Sequence, residues 1–317
     1  MGSSQRRRKD VCPACKESLR KFGLKYLDLY LIHLPISFKS KLHEVEKPLL
    51  WAIAEGYRHI DCARAYQNEV EVGRALKHSF DVGTVKRDDM FITSKAFCNR
   101  RLNFYIVLKE GKEFSRIDLS VFDLENIPLE ETWKLWAEPD HNDLLIESRG
   151  MEEVVEAGHV RSIGVSNFNK AQIDRILASC KIPPAVNQIE VSVNWLNQKL
   201  IDYCHSKGIQ ITAYSPFGSP GVMKKIPSPL EEDYVKKIAL AHGKMPGQIL
   251  LRHAVQRGLS VIANSSNAQS IKANFNIFDF ELTKEEMEIL NTSGRKIRVF
   301  TVPMAMNHPE YPFNAEF

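Results

Sequence analysis

The chain has 317 residues, 44% of them hydrophobic, and its 43 basic and 39 acidic side chains leave a formal charge of +4. Such a chain can bury a large core, as one barrel or two smaller domains, and is not disordered throughout. Four positive charges stand together at residues 6 to 9, "RRRK", so the rest is close to neutral and offers no basic face with nucleic-acid readers.

Residues 1–11 are expected to form a disordered basic arm and residues 12–317 a single barrel domain. No apolar run reaches the roughly 20 residues that span a bilayer, and the start lacks the apolar stretch of a secretion signal. A monomeric, cytoplasmic protein without nucleic-acid or membrane partners is the expectation. The six cysteines are scattered through a long chain, which suits reduced thiols better than a disulfide framework. Cys12 and Cys15 form a CxxC pair, but no second pair at zinc spacing accompanies them, so they read as ordinary helix-entry cysteines.

In chain order, helical spacing and short apolar strands alternate. "CPACKESLRKFGLKY" leads into "LDLYLIHL", "VEKPLLWAIAEGY" into "RHIDCA", and "NEVEVGRALKHSF" into "MFITSKA". Later, "GMEEVVEAGHV" precedes "RSIGVSNF", "KAQIDRILASC" precedes "PAVNQIEVSV", "QKLIDYCHSKG" precedes "IQITAYSPF", and "PGQILLRHAVQRG" precedes "LSVIANSS". Strands apolar along their whole length, each fed by a helix, predict a parallel sheet covered by helices. Seven such units in 317 residues, with no GxGxxG after an early strand, favour an α/β fold of the (β/α)8 TIM barrel kind over an open doubly wound sheet.

In a barrel of this kind the carboxyl ends of the strands face the active site. Those ends carry Asp61, Lys95, His33, Ser166 with Asn167, Gln188, Tyr214 with Ser215, and Asn264 with Ser265. Polar groups at the ends of otherwise apolar strands need partners, and so many together point to a site.

"GYRHIDCARAYQNEVEVG" (residues 56–73) and "RSIGVSNF" (residues 161–168) resemble signatures of the aldo-keto reductase family, of the mammalian type that reduces carbonyls with NADP. "AVNQIE", "ITAYSPFGSP", "NIFDFELTKEEM" and "YPFNAEF" resemble it too. The resemblance covers residues 47–97 and 150–317. It implies a small-molecule carbonyl substrate that receives a hydride from a nicotinamide and a proton from a positioned acid.

Tyr66 resembles that acid. A free phenol titrates near about 10, and a neighbouring ammonium is expected to pull that value down; Lys95 would be the ammonium and Asp61 its anchor. His33 resembles the residue that orients the carbonyl. Tyr214 resembles the ring stacked on the nicotinamide, and Ser166, Asn167 and Gln188 resemble its carboxamide partners. Ser215, Phe217 and Ser219 match the loop around the pyrophosphate, while Ser265 and Asn274 match further cofactor contacts.

Two departures qualify the resemblance. The block "CPACKESLRKFGLKYLDLYLIHLPISFK" follows the lysine strand in the family but precedes Asp61 here, and the family's first strand is missing. The barrel is therefore expected to be imperfect, with its fourth-strand segment moved to the N-terminus. The strand before His33 could fill the vacant first position, with "NFYIVL" or "LSVFDL" as an improvised fourth. Alternatively it could sit beside the lysine strand, since the twelve residues from Ile36 to Lys47 can reach up to about 40 Å.

The second departure is the loss of both 2′-phosphate cations. Asn264 and Ser270 stand in their places, which keeps NADPH as the expected cofactor but leaves NADH open, unless Lys272 reaches over. Phe97, Val299, Phe300 and Met304 would line an apolar mouth. The main reading is an NAD(P)H-dependent carbonyl reductase with Tyr66 as proton donor. The other is an impaired barrel kept as a non-enzymatic binding or structural protein.

Overall fold

The computed structural model describes residues 11–32, 45–63, 66, 68–96, 151–220, 226–303, 306–307, 310–315 and 317, with side chains from residue 15 and not at 96. His33, Phe97, Met304, the basic arm and the "NFYIVL" and "LSVFDL" stretches lie outside the described residues. In chain order the elements are α1 (Val11–Phe22), β1 (Leu27–Ile32), α2 (Glu46–Ala54), β2 (His59–Asp61), α3 (Glu69–Asp81), β3 (Phe91–Ala96), α4 (Met151–Glu156), β4 (Val160–Ser166) and α5 (Lys170–Leu177). They continue with β5 (Val186–Glu190), α6 (Gln198–Ser206), β6 (Gln210–Tyr214), α7 (Asp233–His242), α8 (Pro246–Gln256), β7 (Ser260–Val261), α9 (Ala268–Phe275) and α10 (Lys284–Thr292). The chain divides into two compact units, one drawn from residues 1–47, 58–185 and 303–316 and the other from residues 48–57, 186–302 and 317.

In the first unit the strands run parallel in the order β2-β3-β1-β4. The first strand of the chain is thus an inner strand, between the lysine strand and the "RSIGVSNF" strand, which is the second of the two placements the sequence allows. Leu31 is the register partner of Lys95 on one side and of Gly164 on the other. The physical reason lies in the residues. Leu27, Leu29, Tyr30 and Leu31 are all buried, and a strand without a polar face needs a neighbour at each edge.

A polar suture sets the register at the amino end of β1. Asp28 is buried, and its Oδ2 accepts the Ile92 backbone N–H at 2.9 Å and Arg87 Nη2 at 2.8 Å, while its Oδ1 accepts Arg161 Nη1 at 3.1 Å. The two guanidinium carbons lie 3.9 and 4.1 Å from the centre of the Tyr26 ring. One carboxylate thereby ties β1 to both neighbouring strands.

Helix α1 buries Cys15, Ser18, Leu19 and Phe22, spaced three and four apart on one face. Its end packs on α3 at Gly73, where a Cβ would stand 2.6 Å from the Lys21 carbonyl oxygen. Only glycine admits that approach.

In the second unit β5, β6 and β7 are parallel, with Glu190 paired to Tyr214 and Ala213 to Val261. Its core gathers Val193, Val235, Ile238, Ile249, Leu250, Leu282 and Leu290, with Phe217 and Phe280 packed against it. No helix among the described residues is long and apolar enough to cross a membrane.

Candidate active site

Alternation along a strand sends residues two apart to the same side. His59 and Asp61 therefore share a face of β2, and Thr93 and Lys95 share a face of β3. Lys95 is fully buried, and its ammonium donates to Asp61 Oδ2 at 2.5 Å and to the Cys62 carbonyl oxygen at 2.9 Å. It also lies 5.4 Å from the centre of the Tyr66 ring. The structure thus brings Asp61, Tyr66 and Lys95 together.

The electrostatics differ in one respect from the expectation. The Lys95 charge does pull the Tyr66 phenol down, but burial pushes it up more strongly and Asp61 adds to the rise, so the net shift is upward. Without a substrate, Tyr66 is held as a protonated phenol. For Lys95, burial is the largest influence and lowers its pKa, yet Asp61 and Tyr66 together outweigh it and the value is raised. The lysine stays an ammonium.

His59 was not among the residues singled out in the sequence. Its Nε2 is 2.9 Å from Thr93 Oγ1, and burial lowers its pKa against the opposing pull of Asp61. It forms the layer beneath the Asp61–Lys95 pair, and the two-residue spacing to Asp61 was the signal that could have revealed it. In the same unit Ser166 and Asn167 are buried at the carboxyl end of β4, with Asn167 Nδ2 donating to Ser166 Oγ at 3.2 Å. Asn167 has φ 60°, a left-handed conformation that asparagine tolerates better than most residues.

The second unit holds the other sequence-derived residues. Gln188 is buried near the end of β5, and Tyr214 ends β6 half-buried. Ser215, Gly218 and Ser219 all have positive φ, at 55°, 69° and 47°, and the two serine hydroxyls are 2.9 Å apart. Ser228 Oγ donates to the Phe217 carbonyl oxygen at 2.9 Å and pins this loop. Left-handed residues in a turn can expose backbone N–H groups, which suits phosphate oxygens. Phe217 and Asn274 converge on Gly247, where a Cβ would lie 3.5 Å from the Phe217 ring and 3.7 Å from Asn274 Oδ1.

The two residues that the resemblance sets at the 2′-phosphate, Asn264 and Ser270, are uncharged. Both are exposed, and Asn267 Oδ1 accepts the Ser270 backbone N–H at 3.0 Å as the cap of α9. Lys272 is exposed on the same helix, its ammonium 3.8 Å from Glu55 Oε1. Of the expected apolar mouth, Val299 is buried and Phe300 is half-buried.

Residues 39–294 match the family model described as the aldo/keto reductase family. The chain belongs to the aldo/keto reductase family. An aldo-keto reductase of Bombyx mori is 36% identical over 276 residues, which is 86% of this chain and 90% of that protein. Prostaglandin F synthase 1 of Bos taurus is 37% identical over 299 residues, covering 88% and 91%. Among solved structures, the aldose reductase from Schistosoma japonicum matches with a TM-score of 0.72 and 37% identity over 91% of this chain and 95% of that one. The Bombyx mori aldo-keto reductase in complex with NADP matches at 0.66 and 29%, over 90% and 94%. This aldo/keto reductase is an oxidoreductase with the α/β class of the (β/α)8 barrel.

Proposed function

We propose that the protein reduces aldehydes and ketones to alcohols, with Tyr66 delivering the proton. The observation that carries this reading is the buried Lys95 ammonium, held by Asp61 and Cys62 and placed beside the Tyr66 ring. NADPH, when bound, supplies the hydride. As the carbonyl oxygen gains negative charge, Tyr66 gives up its proton, and the phenolate left behind is stabilised by the adjacent ammonium. Asp61 keeps the ammonium charged and aimed. His33 is assigned the part of orienting the carbonyl; Leu31, two residues before it, is the register partner of Lys95.

For the cofactor, Tyr214 would stack on the nicotinamide, and Ser166, Asn167 and Gln188 would hold its carboxamide. Ser215, Phe217 and Ser219 would receive the pyrophosphate, with Ser265 and Asn274 holding the remainder. The left-handed loop at 215–219 suits the anion, whereas exposed Asn264 and Ser270 weaken the distinction between NADPH and NADH. Among the described residues Cys15, Cys62, Cys180 and Cys204 form no disulfide, which suits the reducing cytoplasm proposed for this enzyme.

The test is NADPH oxidation with 4-nitrobenzaldehyde, alongside fluorescence titration with NADPH and NADH. Tyr66→Phe is expected to abolish turnover while leaving both cofactor affinities as in wild type. Equal oxidation by wild type and variant removes Tyr66 from the role of proton donor.

A further inference from the structure

At the carboxyl end of β5, Glu190 is fully buried, an unusual place for a carboxylate. Its Oε1 accepts the Val299 backbone N–H at 2.7 Å and its Oε2 accepts that of Phe300 at 2.8 Å. These two successive amides belong to no helix or strand, and the carboxylate satisfies both.

The same stretch is fastened to the turn after β5 at several more points. The Ile297 N–H donates to the Asn194 carbonyl oxygen at 2.7 Å, and the Arg295 N–H donates to Asn194 Oδ1 at 3.1 Å. The Arg298 guanidinium lies 4.6 Å from the centre of the Trp195 ring. Gly294 passes so near β5's turn that a Cβ would meet the Val193 carbonyl oxygen at 1.8 Å. Lys296 and Val302, on either side of the clamp, are held at φ 56° and 48°. A β-branched residue adopts that conformation only where surrounding contacts over-determine it.

The clamp delivers one side chain to one place. The Phe300 ring stands edge-on to Tyr214, with centroids 5.6 Å apart and planes at 77°. Glu190 and Tyr214 are register partners on neighbouring strands, so the carboxylate and the ring sit at the same level of the sheet. Burial raises the Glu190 pKa, and the two backbone N–H groups together with Arg298 oppose that rise.

We propose that Glu190 is a positioning residue for carbonyl reduction: by clamping the Val299 and Phe300 amides it holds Phe300 against Tyr214 and thereby limits the bulk of the carbonyl substrates accepted. The proposal rests on the reductase reading and adds the residue that controls substrate size. Glu190 touches neither substrate nor cofactor and acts through the loop.

Its test compares 4-nitrobenzaldehyde with a bulky fused-ring ketone in wild type, Glu190→Gln, Phe300→Ala and the double variant. Glutamine keeps the size but turns one acceptor into a donor that faces a backbone N–H. The wild-type preference for the small aldehyde is expected to fall about tenfold in each single variant, chiefly through KM, with little change in kcat or NADPH affinity. The double variant should lose no more than either single one, because both act through the same ring. An unchanged preference in Phe300→Ala overturns the proposal, as do independent, multiplying effects in the double variant. So does a uniform fall in kcat and cofactor affinity, which is what general loss of packing would give. A wild type that oxidises NADPH with no carbonyl in the panel removes the reductase reading instead. Hydrogen exchange then judges the clamp alone: the Val299 and Phe300 amides should be protected in wild type and exposed in Glu190→Gln, and equal exchange in both would sink it.

Discussion

Two carboxylates on the four parallel strands of the first unit serve opposite ends of those strands. Asp28, at the amino end of β1, is matched by two guanidinium groups and a backbone amide drawn from the strands beside it and the turn that leads into one of them. Asp61, at the carboxyl end of β2, pairs with the Lys95 ammonium, which also faces a tyrosine. The first arrangement spends its charges on joining strands, while the second, in the proposed reaction, would keep an ammonium ready for a change of charge at Tyr66. Similar ion pairs therefore do structural or chemical work according to what stands next to them, and in a barrel the carboxyl ends are where chemistry gathers.

The largest expected effect lies at the carboxyl end. Lys95→Met should cut aldehyde-dependent NADPH oxidation by about 10²- to 10⁴-fold, the span of general acid–base assistance. Single-turnover rates would check it, and a loss of only a few-fold would mean that the ammonium does not stabilise the developing phenolate. The next effect is at the amino end. Asp28→Ala leaves Arg87 partly buried without its partner and should cost about 3 kcal/mol in urea unfolding. Turnover per folded molecule should stay at the wild-type level, and a fall in it would erase the distinction between the two ends.

The smallest effect is read on His59, which both carboxylates raise, Asp61 more than Asp28. Its folded pKa is depressed by burial, so above the ordinary histidine value both folded and unfolded chains hold it neutral. As pH falls below about 6.5, the unfolded chain takes up a proton that the folded one resists, and stability declines. His59→Gln should flatten that decline in denaturation measured between pH 7.5 and 5. An NMR titration should show Asp61→Asn depressing His59 further than Asp28→Asn does; the reverse order would mean that the histidine belongs to the other end.

Asp61, Tyr66 and Lys95 were legible because a short signature carries them in order, and alternating strand geometry turns spacing into a shared face. The placement of β1 was legible only as one of two choices. What decides it is Asp28 with Arg87, Ile92 and Arg161, partners 59, 64 and 133 residues away, and no local pattern announces such a set. The direction of the Tyr66 shift was misjudged for a related reason: the sequence shows the lysine that lowers it but not the burial that raises it more. His59 and Glu190 were passed over because each looks ordinary until its distant partner is known.

An inner strand that precedes both of its neighbours in the chain has a consequence for the birth of the molecule. Leu27–Ile32 leaves the ribosome before either strand that will flank it, since Thr93, the partner of Leu29, is 64 residues further on and Val160, the partner of Leu27, is 133. At roughly 5–20 residues per second, the apolar segment waits several seconds for its first neighbour and about twice as long for its second. Loop closure over that span is slow, and an unpaired strand of this composition is prone to self-association in the interval. The nascent chain thus depends on α1, whose apolar face is available at once, or on a chaperone, to keep β1 covered until its neighbours arrive.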